Sequence, residues 1–224
     1  MTSWDEMHDG SSSTTNINQN IKLVQVSGPT LSIVSKTEAK NYLKIGSDTT
    51  DDDLVEWMIK TATSIVEREC GGLAICEQSW KQHQKGGCET IELLRQPIIS
   101  VSTVSYYEDF DSTVETLVEG TDYRKVENEL YHVDGSFAEG RDGDGYTIEF
   151  TAGMFTSSTY TSSSRQELTS MKTLICRILA FLYENREEYL MNVSEGTWKA
   201  VYDDKLPIGI KLMCMSFHTG LGLI

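Results

Sequence analysis

Between residues 54 and 182 the spacing of apolar side chains changes twice, and that double change restricts the chain to a mixed fold. Leu54, Met58, Ala62 and Ile65 recur every three or four positions, with Val55, Ile59 and Val66 beside them. Such spacing draws a stripe down one side of an α-helix, to be buried against the rest of the protein. Gly71-Gly72 ends it. From Leu73 to about Gly153 the period falls to two, most clearly where Tyr146, Ile148, Phe150 and Ala152 face one way and Thr147, Glu149 and Thr151 the other. Helical spacing then returns, with Leu168, Met171, Leu174, Ile175, Ile178 and Leu182 in a stripe that Phe181 and Tyr183 broaden. The expected class is therefore α+β: a small helical bundle, two long amphipathic helices plus short ones, with an inserted antiparallel β module.

Smaller signals divide the chain further. Residues 1–30 read as a flexible N-terminal arm, because Gly10 to Asn20 is small and polar, with a short strand expected over Ile21–Val26. A short helix, capped by Ser35 or Thr37, turns Ala39, Tyr42 and Leu43 inward and ends near Gly46. Thr50 and Asp53 make a capping-box-like start to the first long helix, and Asp51-Asp-Asp suits the positive end of its dipole. Strands are expected over Leu73–Trp80, Thr90–Leu94, Ile98–Tyr107 and Tyr146–Ala152, and a hairpin over Asp122–Val126 and Leu130–Val133 with Asn128 near its tip. Pro97 falls between two runs, where its missing N–H harms no ladder. The second long helix follows a Ser/Thr-rich loop and runs from about Gln166 to Tyr189. The main domain thus covers 31–199, with helical parts 35–70 and 166–190 around a β module at 73–153, and a tail fills 200–224. That tail is apolar and glycine-spaced, which suits docking on a partner or on its own core. Its candidate contacts are Leu206, Ile208, Ile210, Leu212, Met213, Met215, Phe217, Leu221, Leu223 and Ile224.

Chemistry is scarce in this sequence. The formal charge is −15, from 34 acidic and 19 basic residues, a balance that repels phosphates and disfavours tight nucleic-acid binding. A solvated acidic surface explains it; a narrower reading is an acidic ring lumen through which DNA slides without sticking. No apolar run approaches bilayer length, and Met1–Asp9 lacks the basic start and apolar stretch of a signal peptide. A cytoplasmic chain is expected, with Cys70, Cys76, Cys88, Cys176 and Cys214 reduced. Cys70, Cys76 and Cys88 with His83 invite a zinc reading, but no C-x-x-C pair is present and the spacings match no zinc module. Asp142-Gly-Asp-Gly resembles part of a calcium loop but lacks the distal Glu, which leaves a turn. No G-x-S-x-G, phosphate-binding glycine loop or H-E-x-x-H occurs. No catalytic residue, metal or cofactor is expected, and a small hydrolase built on scattered carboxylates is the remote alternative.

Five segments taken in order carry a resemblance. They are Lys36-Thr-Glu-Ala-Lys-Asn-Tyr-Leu-Lys-Ile; Asp52 to Arg68 with the following Gly71-Gly-Leu and Gln78-Ser-Trp; Ile91-Glu-Leu-Leu-Arg-Gln-Pro-Ile-Ile-Ser-Val-Ser-Thr-Val-Ser-Tyr-Tyr; Tyr146-Thr-Ile-Glu-Phe-Thr-Ala-Gly; and Ile178-Leu-Ala-Phe-Leu-Tyr-Glu-Asn-Arg-Glu. Over about residues 31–190 the chain resembles the head-to-tail connector (adaptor) family of tailed bacteriophages. It departs from that pattern in having Ser164-Arg-Gln-Glu where a proline is expected before the last long helix, and in its polar arm and longer tail. The resemblance implies a structural virion protein rather than an enzyme: a homo-oligomeric ring, commonly of twelve copies, beneath the portal protein. Such a ring extends the DNA channel, lets genomic DNA pass without sequence-specific binding, and docks stopper or tail proteins. It implies residence in the virion neck, after assembly in the host cytoplasm, with no membrane partner. A tail-completion or stopper ring of the same neck is the alternative. Glu67 and Arg68 at one helix end, and Glu184 and Arg186 at the other, are candidates for intersubunit ion pairs.

Overall fold

The computed structural model describes residues 21–47, 49–110, 113–141, 144–157, 166–185 and 206–218. The first long stripe folds as a helix because its two ends are chemically defined. Helix α2 (Asp52–Glu69) follows the short helix α1 (Lys36–Leu43) and starts with Asp52 and Asp53 in its first turn, where the dipole favours negative charge. It stops in a Schellman turn: Gly72 N–H donates to Glu67 O at 3.0 Å and Gly71 N–H to Arg68 O at 3.1 Å. Gly71 and Gly72 sit at φ +73° and +86°, a region costly for any side chain.

The short helix is capped as its sequence suggests. Ser35 Oγ accepts from Glu38 N–H at 3.2 Å, and the Glu38 carboxylate accepts in return from Ser35 N–H at 2.8 Å. The expected start of α2 is corrected, since Asp51 rather than Thr50 is the N-cap and makes no side-chain capping bond. The end of α1 also moves: Leu43 is its last helical residue, and Lys44 takes the left-handed cap position. Of its three apolar residues Tyr42 is exposed, while Ala39 and Leu43 face the core.

Helix α3 (Gln166–Glu184) packs on α2, and the helical core follows. Val55, Met58, Ala62 and Val66 of α2 meet Met171, Leu174, Ile175 and Ile178 of α3, all buried. The α1 helix is tied to both by charge, through Lys40 to Asp52 at 2.6 Å and Lys172 to Glu38 at 2.6 Å. The part of the second long helix expected beyond residue 185 lies outside the described residues.

The chain between α2 and α3, joined by a strand ahead of α1, forms two antiparallel sheets. The larger has strand order β1 (Lys22–Ser27), β2 (Gln78–Gln84), β8 (Tyr146–Ala152), β4 (Ile98–Tyr106), β5 (Glu115–Leu117). The smaller runs β3 (Thr90–Glu92), β7 (Glu129–His132), β6 (Tyr123–Val126), with Glu127 and Asn128 turning the β6–β7 hairpin. Their facing sides share one apolar core of Trp80, Ile91, Leu130, Phe137, Ile148 and Phe150. The stretch read as the end of the N-terminal arm supplies the edge strand β1; residues 1–20 lie outside the described residues.

Strand β2 departs most from its expected place. It lies at 78–84 rather than 73–80, because its inward positions are Gln78, Trp80, Gln82 and Gln84, all buried. Gln82 acts there as a piece of surrogate backbone. Its Nε2 donates to Glu92 O and to Gln84 Oε1, both at 2.7 Å, and its Oε1 accepts from Leu94 N–H at 3.0 Å. The side chain thereby clasps the smaller sheet to the larger. Strand β5, with two exposed residues of three, was not visible in the periodicity.

Candidate assembly interface

The C-terminal candidates divide cleanly by helix geometry. Residues Ile208–His218 form helix α4, whose first amide bonds go to Pro207 O, from Ile210 N–H at 2.8 Å and Lys211 N–H at 3.2 Å. Ile210 and Cys214, four residues apart, are buried with Leu206 in the helical core, and Met213 and Phe217 pack partly against it. Ile208, Leu212 and Met215 fall on the other side, 72%, 59% and 58% exposed. An amphipathic helix normally turns polar residues outward; here a second apolar stripe faces solvent. Leu221, Leu223 and Ile224 lie outside the described residues.

Helix α4 seats on both α2 and α3. Cys70, at the C-cap of α2, is hydrogen-bonded through its thiol to Cys214. That bond, then burial, pushes the Cys70 thiol far up, so it stays protonated. Arg177 of α3 adds a contact to Met213 Sδ at 3.3 Å. The tail helix is therefore part of the folded unit on one face and, among the described residues, exposed at Ile208, Leu212 and Met215 on the other.

The four ion-pair candidates meet different fates. Glu67 points inward: its Oε1 accepts from Ile75 N–H at 3.0 Å and from Gln78 Nε2 at 2.9 Å, while Gln25 Nε2 donates to Gln78 Oε1 at 2.5 Å. This polar chain joins α2 to β2 and β1, and Arg95 nearby lies over the Trp80 ring at 4.5 Å. Glu67 is thus used within the subunit. Arg68 is exposed and reaches Glu69 Oε1 at 3.0 Å. Glu184 is exposed at the end of α3, and Arg186 lies outside the described residues.

Burial pushes the Glu67 carboxyl above its ordinary range, against the pull of its two donors and Arg95. The folded state therefore holds this proton more tightly than the unfolded chain. Stability from this site is greatest below the ordinary carboxylate value and falls as pH rises through it toward the raised one. Glu67→Gln, which keeps the Oε1 acceptor, is expected to remove that fall. Denaturant midpoints from pH 4 to 8 would show the variant gaining on the parent as pH rises; parallel profiles would contradict it.

A cleft of about 470 Å³ opens beside Glu67, lined by Gln25, Pro29, Leu31, Lys60, Thr63 and Cys76 among others. Its titratable groups are not arranged for nucleophilic chemistry. Lys60 pairs with Glu56 at 3.3 Å, and burial, with Glu67 adding to it, pushes the Cys76 thiol up to about 12. The zinc candidates do not converge either. Cys70 and Cys76 belong to the helical core and Cys88 packs against the core between the sheets, while His83 Nδ1 lies 3.0 Å from Thr147 Oγ1. Among the described residues no group of three or more His, Cys, Asp or Glu is placed to hold a metal ion, and no helix is long and apolar enough to cross a membrane.

No protein-family model matches the chain, and no curated protein does. Solved structures do match. A chain in the neck of an empty gene transfer agent particle, computed with C6 symmetry, aligns with TM-score 0.61 at 14% identity, covering 88% of this chain and 94% of that one. A chain in the virion of a native gene transfer agent particle gives 0.57 at 15%, covering 86% and 92%. One in the neck of the native particle computed with C12 symmetry gives 0.57 at 13%, covering 88% and 94%. At such identities the likeness is one of fold, and it extends over nearly the whole of each chain: helical core and β module together make the fold seen in those particles.

Proposed function

We propose that this chain is a structural protein of a phage-type virion neck: a head-to-tail adaptor that forms a ring of twelve copies beneath the portal. The observation that carries this reading is the near-full-length fold likeness to chains in necks computed with C6 and C12 symmetry. The order of the five sequence segments supports it independently. In this role the helices build the ring wall and the β module projects toward the stopper or tail protein. The acidic surface, −15 overall, lets DNA pass without binding. The exposed stripe Ile208, Leu212 and Met215 docks on the portal. Arg68, beyond its pair with Glu69, and Glu184 meet charges of the neighbouring copies in this reading, each such pair worth little because water screens it.

A pull-down against purified portal and purified stopper protein separates this role from that of a tail-completion or stopper ring. Capture of the portal is the expected outcome. Capture of the tail component alone would move the protein down the neck, and turnover in a hydrolase screen with divalent metals would revive an enzymatic role.

A further inference from the structure

Two of the five cysteines meet across a helix junction. Cys70 caps the C-terminal end of α2 and Cys214 lies in α4, each 1% exposed and both in the helical core. The Cys70 thiol donates its hydrogen to the Cys214 sulfur, so the two sulfur atoms are in contact although their residues are far apart in the chain. A disulfide holds its sulfurs about 2.05 Å apart, and a pair already in contact has little left to travel. Helix α4 can follow that movement, because Ile208, Leu212 and Met215 on its other side are more than half exposed. The remaining cysteines are placed differently. Burial pushes the Cys76 thiol up to about 12 and the Cys176 thiol up as well, while Cys88 packs against the separate core between the sheets. The hydrogen bond from Cys70 instead holds the Cys214 thiol below its ordinary value, in spite of burial and of Glu69 nearby. Cys214 is thus the sulfur of the pair that ionises first and attacks.

We propose that Cys70 and Cys214 form a redox staple, which a peroxide closes into a disulfide that fastens α4 to the end of α2. The Cys214 thiolate attacks one peroxide oxygen, the O–O bond breaks, and hydroxide leaves, giving a sulfenic acid on Cys214. The Cys70 sulfur then attacks the Cys214 sulfur. The S–O bond breaks, and its oxygen leaves as water with the Cys70 proton. Two thiols are oxidised by two electrons in all, and one peroxide is reduced to two waters. A reducing cytoplasm keeps the pair open, and an oxidising medium outside it closes the pair. Because α4 carries the stripe assigned to the portal, closure fixes the docking helix to its own subunit. That consequence rests on the adaptor reading above; the bond itself does not.

The full-length chain, treated with hydrogen peroxide until the partly exposed Cys88 is oxidised, then blocked with a maleimide and digested, tests the staple by peptide mass. The expected product is a linked pair of peptides carrying Cys70 and Cys214, lighter by two hydrogens than the separate thiol peptides and parted by a dithiol reductant. Its formation should raise the Tm by about 5–10 °C, since the bond ties residue 70 to residue 214 in the unfolded chain. Neither change should occur in Cys214→Ala. Cys70 and Cys214 both recovered as maleimide adducts after Cys88 has been oxidised, or either one linked to Cys76 or Cys88 instead, would overturn the staple. Co-sedimentation with portal-bearing capsids reads the consequence separately: closed protein should stay bound at a denaturant concentration that releases open protein. A linked pair that brings no such gain would overturn the role of closure in docking while the staple itself stands.

Discussion

Replacing Ile208, Leu212 and Met215 together by aspartate is expected to abolish binding to portal-bearing capsids while leaving the fold intact. All three side chains are more than half exposed in the free subunit, so the charged variants create no buried charge and no cavity in it. If the stripe is covered on docking, burying three such residues is worth about 4 kcal/mol, and its loss weakens binding roughly a thousand-fold. Matching replacements on the other face of the same helix should act differently. Ile210→Asp puts a carboxylate into the helical core beside Leu206 and Cys214, and should unfold or loosen the subunit before any partner is met. Removing everything after residue 204 mixes the two effects, because it strips Leu206, Ile210 and Cys214 from the core along with the exposed stripe. Co-sedimentation with capsids, read beside the thermal unfolding of each variant, separates them. Unchanged binding by the triple variant would remove the tail helix from the docking surface.

The largest effect on stability from a polar residue is expected at Gln82. Gln82→Leu preserves size and hydrophobic burial but leaves Leu94 N–H, Glu92 O and Gln84 Oε1 without their side-chain partner. The loss should be about 3 kcal/mol, less than three full desolvation penalties because water reaches Glu92 and Leu94 from outside. Hydrogen exchange should localise the damage. Amides of β3 and of the adjoining loop would open first, since the clasp between the sheets is gone while the helical core is untouched. A variant within about 0.5 kcal/mol of the parent would show that the apolar core alone holds the sheets together.

How far the sequence could lead depended on what each face buries. Strand β8 was legible because its inward residues, Tyr146, Ile148, Phe150 and Ala152, are apolar and the three between them, Thr147, Glu149 and Thr151, are polar. Strand β2 beside it was misplaced because three of its four inward residues are glutamines, and an alternation of buried glutamine with Ser, Lys and His has no hydrophobic period. Only the register with β8, Gln82 opposite Ile148, reveals which side they face. The helical stripes of α2 and α3 were legible for the same reason as β8. Glu67 illustrates the opposite case: a charged residue at a helix end reads as surface, yet the turn at Gly71-Gly72 brings the chain back so that Ile75 N–H meets its carboxylate.

The tail posed a different difficulty. Apolar residues fall on both sides of α4, so periodicity alone could not separate those that complete the core from those that stay exposed. The α2–α3 core made the division, by taking Ile210 and Cys214 and leaving Ile208, Leu212 and Met215 more than half exposed.

Electron microscopy of portal-bearing capsids, prepared with and without this protein, tests the adaptor assignment most directly. The account predicts a ring of added density directly beneath the portal, into which twelve copies fit with α4 against the portal and the β module pointing away from the capsid. An unchanged portal vertex in capsids exposed to saturating protein would contradict it.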